Sequence, residues 1–116
     1  MAKILVVDRN EAFATMLKEM LEVDGGHEVR VVSRGREGLG LAQRERFDLT
    51  IVDMDQDRHD VSYAALIKGM RRLNPRMRIV LIPLMGENVP VEAHALDIQG
   101  ALSKPFFVDD LLPSIK

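Results

Sequence analysis

The run Ile4-Leu5-Val6-Val7 is apolar without interruption and is followed at once by Asp8. A strand with one wet face alternates apolar and polar residues. A continuous β-branched run needs cover on both faces, which is the condition of a strand inside a parallel sheet. Ile79-Val80-Leu81-Ile82 repeats the pattern and is closed by Pro83, which has no N–H for a ladder. Leu49, Ile51 and Val52 make a third strand ending at Asp53, Val29, Val31 and Val32 a shorter one, and Gly100 to Ser103 a short last one.

Helical spacings separate these strands. Phe13, Met16, Leu17, Met20 and Leu21 mark an inward stripe, with Asn10 as N-cap and Gly25-Gly26 as the stop. Ser33 is placed to cap a weaker helix running to about Arg46, with Leu39 and Ala42 inward and Gly38 and Gly40 weakening it. Tyr63, Leu66, Ile67, Met70 and Leu73 predict a third helix, capped by Asp60 and ended by Asn74-Pro75. Glu92 to Leu96 suggest a short helix, and Val108 to Ile115 a final one interrupted by Pro113. Strands alternating with helices predict an α/β fold: a five-stranded parallel sheet with helices on both faces and right-handed crossovers.

Length and composition set the class. At 116 residues, with 47% hydrophobic and 29% charged, the chain fits one globular domain over residues 1–116. Such a domain can also be the front of a longer protein with an effector domain. Sixteen Lys and Arg against 18 Asp and Glu leave a net charge of −2, so no strong field exists to hold nucleic acid or an anionic membrane. Without cysteine there is no disulfide, thiolate metal site or cysteine nucleophile. The first apolar run is too short for a signal peptide or a membrane span, and a cytoplasmic location is expected. His27, His59 and His94 lack zinc-site spacing and are read as surface or packing residues. The seven methionines fall mainly at helical core spacing and are read as packing.

Ligand sites in open parallel sheets lie beyond the carboxyl ends of the strands. Those ends carry Asp8, Asp53, Pro83 and Ser103-Lys104-Pro105. Were strands 1 and 3 neighbours, Asp8 and Asp53 would sit close enough to want a divalent cation between them, with Asp55 as a further oxygen donor. A carboxylate beside such a cation can attack a phosphoryl donor, and Lys104 can balance the added charge.

Three motifs together resemble a response-regulator receiver domain along nearly the whole chain. They are Ile4-Leu5-Val6-Val7-Asp8, Phe47-Asp48-Leu49-Thr50-Ile51-Val52-Asp53 and Gly100-Ala101-Leu102-Ser103-Lys104-Pro105-Phe106. The resemblance implies a strand order 2-1-3-4-5, Asp53 as phosphoacceptor in two-component phosphorelay signalling, Lys104 as phosphoryl contact and a cis peptide before Pro105. It also implies Mg²⁺ at Asp8, Asp53 and Asp55, and a histidine kinase or phosphotransfer protein as donor. An effector domain or partner protein would receive the signal, and the face of helix 4, strand 5 and helix 5 offers a homodimer contact near Val91, Leu96, Val108 and Leu112.

The departures from the family pattern cluster at the same site. Arg9 stands where receivers usually carry a second acid, which sets a permanent cation against metal binding. Pro83 replaces the Ser or Thr that ends strand 4, Ala101 replaces the aromatic of strand 5, and the proline and glycines expected after the acceptor are absent. Two mechanisms fit. In one, Asp53 is phosphorylated, with Asp8, Asp55 or Asp57 helping to hold Mg²⁺, and the signal leaves by a nonstandard route. In the other, Arg9 or Lys104 pairs with Asp53 in place of the metal, and the chain is a phosphorylation-independent interaction module. The missing hydroxyl and aromatic lean the sequence reading toward the second. The contrasting class, a small Mg²⁺-dependent phosphatase-like enzyme, lacks any cap domain or long loop to close over a substrate, so no enzymatic turnover is expected.

Overall fold

The structure, a computed structural model, describes residues 1–55, 59–83 and 100–101. Eight elements follow one another: β1 (Lys3–Val7), α1 (Glu11–Val23), β2 (Glu28–Val32), α2 (Gly35–Arg44), β3 (Leu49–Asp53), α3 (Tyr63–Leu73), β4 (Arg78–Ile82) and β5 (Gly100–Ala101). All strand pairs are parallel, in the order β2-β1-β3-β4-β5. The expected helices at 92–96 and 108–115, the end of the last strand, Lys104, the peptide before Pro105 and the proposed dimer face lie outside the described residues.

The uninterrupted apolar runs are explained by two separate core layers. Ile4, Val6, Leu49, Ile51, Val80 and Ile82 pack with Ala14, Leu17 and Leu21 of α1. Their immediate neighbours Leu5, Val7, Val52, Ile79 and Leu81 point the other way and pack with Leu66, Ile67 and Met70 of α3, with Leu39 and Ala42 of α2 at the margin. Successive side chains on a strand alternate faces, so a sheet covered on both sides needs apolar residues at every position. Thr50 is the polar exception; fully buried, it donates its hydroxyl to Met77 Sδ at 3.4 Å.

Helix boundaries follow local chemistry where the contact is local. Asn10 Oδ1 accepts the Phe13 N–H at 3.0 Å, and beyond the other end of α1 Gly26 takes φ +67°, the left-handed conformation that suits glycine. The inward stripe of α1 is rotated from the expected one. Ala14, Leu17 and Leu21 are buried and Phe13 half-buried, while Met16 is 45% exposed, because the helix meets β1 and β2 through its small residue at 14. Met1 too is exposed, and among the described residues the buried methionines are Met70 and Met77.

The glycines of α2 play opposite parts. Gly38 is buried against the sheet, and a Cβ there would lie 3.1 Å from Val7 Cγ2 and 3.4 Å from Met70 Cε; a Cβ on Gly40 would meet nothing within 4 Å. Only the second glycine simply weakens the helix. Gly40→Ala should therefore raise the unfolding free energy by about 0.5–1 kcal/mol, while Gly38→Ala should give no such gain, as read from denaturant midpoints.

One histidine adds a pH dependence. His27 Nδ1 accepts the Ala2 N–H at 2.9 Å, and burial holds its pKa below the usual 6.5. The unfolded chain takes up this proton near pH 6.5 and the folded chain resists it, so stability falls as pH drops below 6.5. Glu22 and Glu45, held low by Lys18 and Lys3, add losses only below about pH 4.5. His27→Asn keeps an acceptor without the titration, and its thermal midpoint should fall less between pH 7 and pH 5 than that of the native chain.

Candidate functional site

Asp8 and Asp53 stand at the carboxyl ends of adjacent strands, one step beyond and at the end of the pairing that matches Val7 with Val52. Both are nearly buried, at 2% and 4% exposure. Each uses one oxygen to close its own turn: Asp8 Oδ1 accepts the Asn10 N–H at 2.8 Å, and Asp53 Oδ1 accepts the Asp55 N–H at 3.0 Å. Each bond fixes one oxygen of its carboxylate against the turn that follows the strand. Like charges held side by side at low exposure repel, and a cation between them relieves the repulsion.

The donor set suits magnesium in one specific way. Among the described residues no three acids or histidines gather as a metal-ligand group, so the side-chain carboxylates found together there are the aspartate pair. Magnesium accepts that, since it keeps several waters and commonly takes one or two carboxylates with phosphate oxygens. Asp55, expected as a third donor, instead faces Arg9, whose Nε lies 3.8 Å from its Oδ2; both side chains are more than half exposed. The Arg9 guanidinium is thus drawn outward to the rim by a neighbouring acid. Such an exposed pair contributes little to stability.

Of the other sequence-derived positions, Pro83 and Ala101 are described. Pro83 is buried directly after β4, where Asp53 is in register with Ile82 and the Met54 N–H bonds to Ile82 O at 2.9 Å. Ala101 lies in β5 opposite Leu81. Asp57 and Lys104 fall outside the described residues.

Two helix caps were assigned wrongly from sequence. Asp60 does not cap α3; Ser62 does, its Oγ accepting the Ala65 N–H at 3.1 Å. Asp60 reaches across to α2 instead, Oδ2 accepting Gly35 N–H at 2.6 Å and Oδ1 accepting Arg36 N–H at 3.2 Å and Val61 N–H at 2.8 Å. Nor does Ser33 cap α2: the N-cap residue is Arg34, without a side-chain bond, and the Ser33 hydroxyl donates to Glu37 at 3.1 Å. A carboxylate is the stronger acceptor for helix-start amides, and it arrives from 25 residues away. No short-range sequence signal marks such a cap.

Comparison with known proteins fits this geometry. The sequence pattern named "Response regulator receiver domain" matches residues 4–116. The chain belongs to the response regulator receiver family. It is 34% identical over 113 residues to a response regulator receiver protein of Anaeromyxobacter sp., covering 97% of this chain and 46% of that one. The chain spans about half the length of several relatives it matches. Among solved structures, the chemotaxis protein CheY4 of Vibrio cholerae superposes with a TM-score of 0.84 at 30% identity, covering 99% and 96% of the two chains. A response regulator of Burkholderia pseudomallei, with a phosphorylated aspartic acid, a calcium ion and citrate, superposes at 0.86 and 30% identity over 100% of this chain and 67% of that one. Receivers are signalling domains rather than enzymes. No helix among the described residues is long and apolar enough to cross a membrane.

The long-range cap has a measurable consequence. Asp60→Ala should lower the unfolding free energy by about 1–2 kcal/mol, whereas Ser33→Ala should change it by less than about 0.5 kcal/mol, both from denaturant titrations.

Proposed function

We propose that this receiver accepts a phosphoryl group on Asp53, with Asp8 and Asp53 as the magnesium ligands, and passes the signal on without the family's hydroxyl and aromatic pair. The observation that supports this over a phosphorylation-independent module is the position of Arg9. Its Nε lies 3.8 Å from Asp55 Oδ2 at the exposed rim, which supports a reading in which Arg9 does not stand in for the metal.

The chemistry asks little of the protein beyond placement and charge. The Asp53 carboxylate oxygen forms the new O–P bond as the N–P bond of a phosphohistidine donor breaks, and the donor imidazole leaves with the bonding pair and takes a proton. A magnesium ion held by the aspartates would offset the charge on the transferring group. Both carboxylates are nearly buried, and the Asp55 N–H steadies Asp53. Lys104, by resemblance, balances the charge of the product. The phosphorylated aspartic acid in the Burkholderia relative supports the same role for Asp53 here.

The test is an amide NMR titration of the labelled chain with Mg²⁺ and then beryllofluoride, a phosphoryl mimic on aspartate. Saturable shifts around Asp8, Asp53 and Asp55, lost in Asp53→Asn, are expected. A well-folded sample silent to millimolar Mg²⁺ and to the mimic would sink the proposal and leave partner binding as the function.

A further inference from the structure

We propose that the cleft between the C-terminal ends of α2 and α3 is a docking site for an acidic, leucine-bearing segment of a partner protein, with Arg44, Arg46, Arg72 and Arg76 as its carboxylate contacts. The cleft lies toward the amino ends of the strands, away from Asp8 and Asp53. The inference does not depend on Asp53 being the acceptor.

Positive charge gathers there against the balance of the chain. Residues 61–83 carry Lys68, Arg71, Arg72, Arg76 and Arg78 and no Asp or Glu, in a chain of net charge −2. Arg44 and Arg46 come from the end of α2 and line the cleft together with Leu73 and Asn74. Bases in the last turn of a helix offset its dipole, which accounts for Arg44, Arg71 and Arg72. Arg46 and Arg76 stand beyond the helix ends. The acid in the cleft wall, Glu45, already has partners: its Oε1 lies 2.7 Å from Lys3 Nζ and 3.3 Å from Arg30 Nε. Among the described residues no carboxylate pairs with Arg44, Arg46, Arg72 or Arg76, and all four are exposed.

The cleft has a shape as well as a charge. Its volume is about 290 Å³, at the small end of the range for ligand clefts. Leu73, 45% exposed, gives it an apolar lip, and the buried Phe47 and Met77 lie behind. Asn74 joins the walls, its Nδ2 donating to Phe47 O at 3.2 Å and its N–H to Met70 O at 2.9 Å. A cleft tied in this way is present before a ligand arrives, which lowers the ordering cost of binding.

The lining selects the occupant. Arginine forks match carboxylates, and the apolar lip matches an aliphatic side chain. The charge runs past the cleft to Arg72 and Arg76, which suits an extended segment with several acids better than one small anion. Nucleic acid is the poorer match. The net charge of −2 draws no polyanion, and Phe47, the aromatic at the cleft, is fully buried and offers no face to a base.

The test is fluorescence anisotropy of a labelled peptide, Glu-Asp-Glu-Leu-Glu-Asp-Leu-Glu-Asp-Glu, titrated with the native chain at about 0.1 M salt. Saturable binding is expected, with amide shifts gathered at Arg44, Arg46, Leu73 and Asn74. Arg44→Gln with Arg46→Gln should weaken binding about tenfold. Arg34→Gln with Arg36→Gln removes the same charge at the other end of α2 and should weaken it less than about twofold. Serine in place of both peptide leucines should weaken it about fivefold. Equal weakening by the two arginine pairs would assign the effect to net charge and overturn the proposal. So would binding that ignores the leucines, tighter binding of a single-stranded RNA of equal charge, or no binding at all. Should a variant not fold, native-chain shifts spread evenly over the surface arginines would overturn it on their own.

Discussion

Asp8 and Asp53 are two carboxylates held beside each other at the end of a sheet whose other buried strand residues are apolar apart from Thr50. Burying acids near one another is unfavourable unless something compensates. The fold supplies part of the compensation through the Asn10 and Asp55 amides, each of which satisfies one carboxylate oxygen. The proposed acceptor site lies at this end of β1 and β3, where the two carboxylates meet. The apolar layers behind it have the complementary task of keeping those strand ends fixed.

Arg9 follows Asp8 in sequence but is exposed, with its Nε 3.8 Å from Asp55 Oδ2. A guanidinium next to Asp8 in sequence would be expected to compete for the aspartate pair. It is directed away because residue 9 begins the turn into α1 and is exposed, with Asp55 available as partner at the rim. The proline and glycines of the family pattern are missing after Asp53. The replacement loop carries its own anchor, Asp60, which fastens it to α2. That contact serves two elements at once, since α2 lacks a cap of its own.

The fold was largely legible from residue order. Ile4–Val7 and Ile79–Ile82 announced strands covered on both faces, and Asn10 announced a helix start three residues from the amide it caps. These signals are readable because their causes lie within one turn or one strand. The same reasoning failed at Asp60, which was assigned to the nearest helix, and at Gly38, which was read as a weakness. Both depend on residues brought near only by folding: Gly35 and Arg36 for the first, Val7 and Met70 for the second. Met16 failed for a related reason, since helical spacing alone does not say by how many degrees a stripe is rotated toward its sheet.

The sequence by itself determined the strand-and-helix order, the covered sheet and the acids that stand at its strand ends, because periodicity and chain breaks are local properties. Tertiary structure decided which acids meet and which cation they see. It set Asp8 beside Asp53 through the β1–β3 register, turned Arg9 to Asp55, and sent Asp60 to α2. Hydrogen bonds and ion pairs are settled by distances in space, and 25 residues of chain between donor and acceptor carry no trace of them.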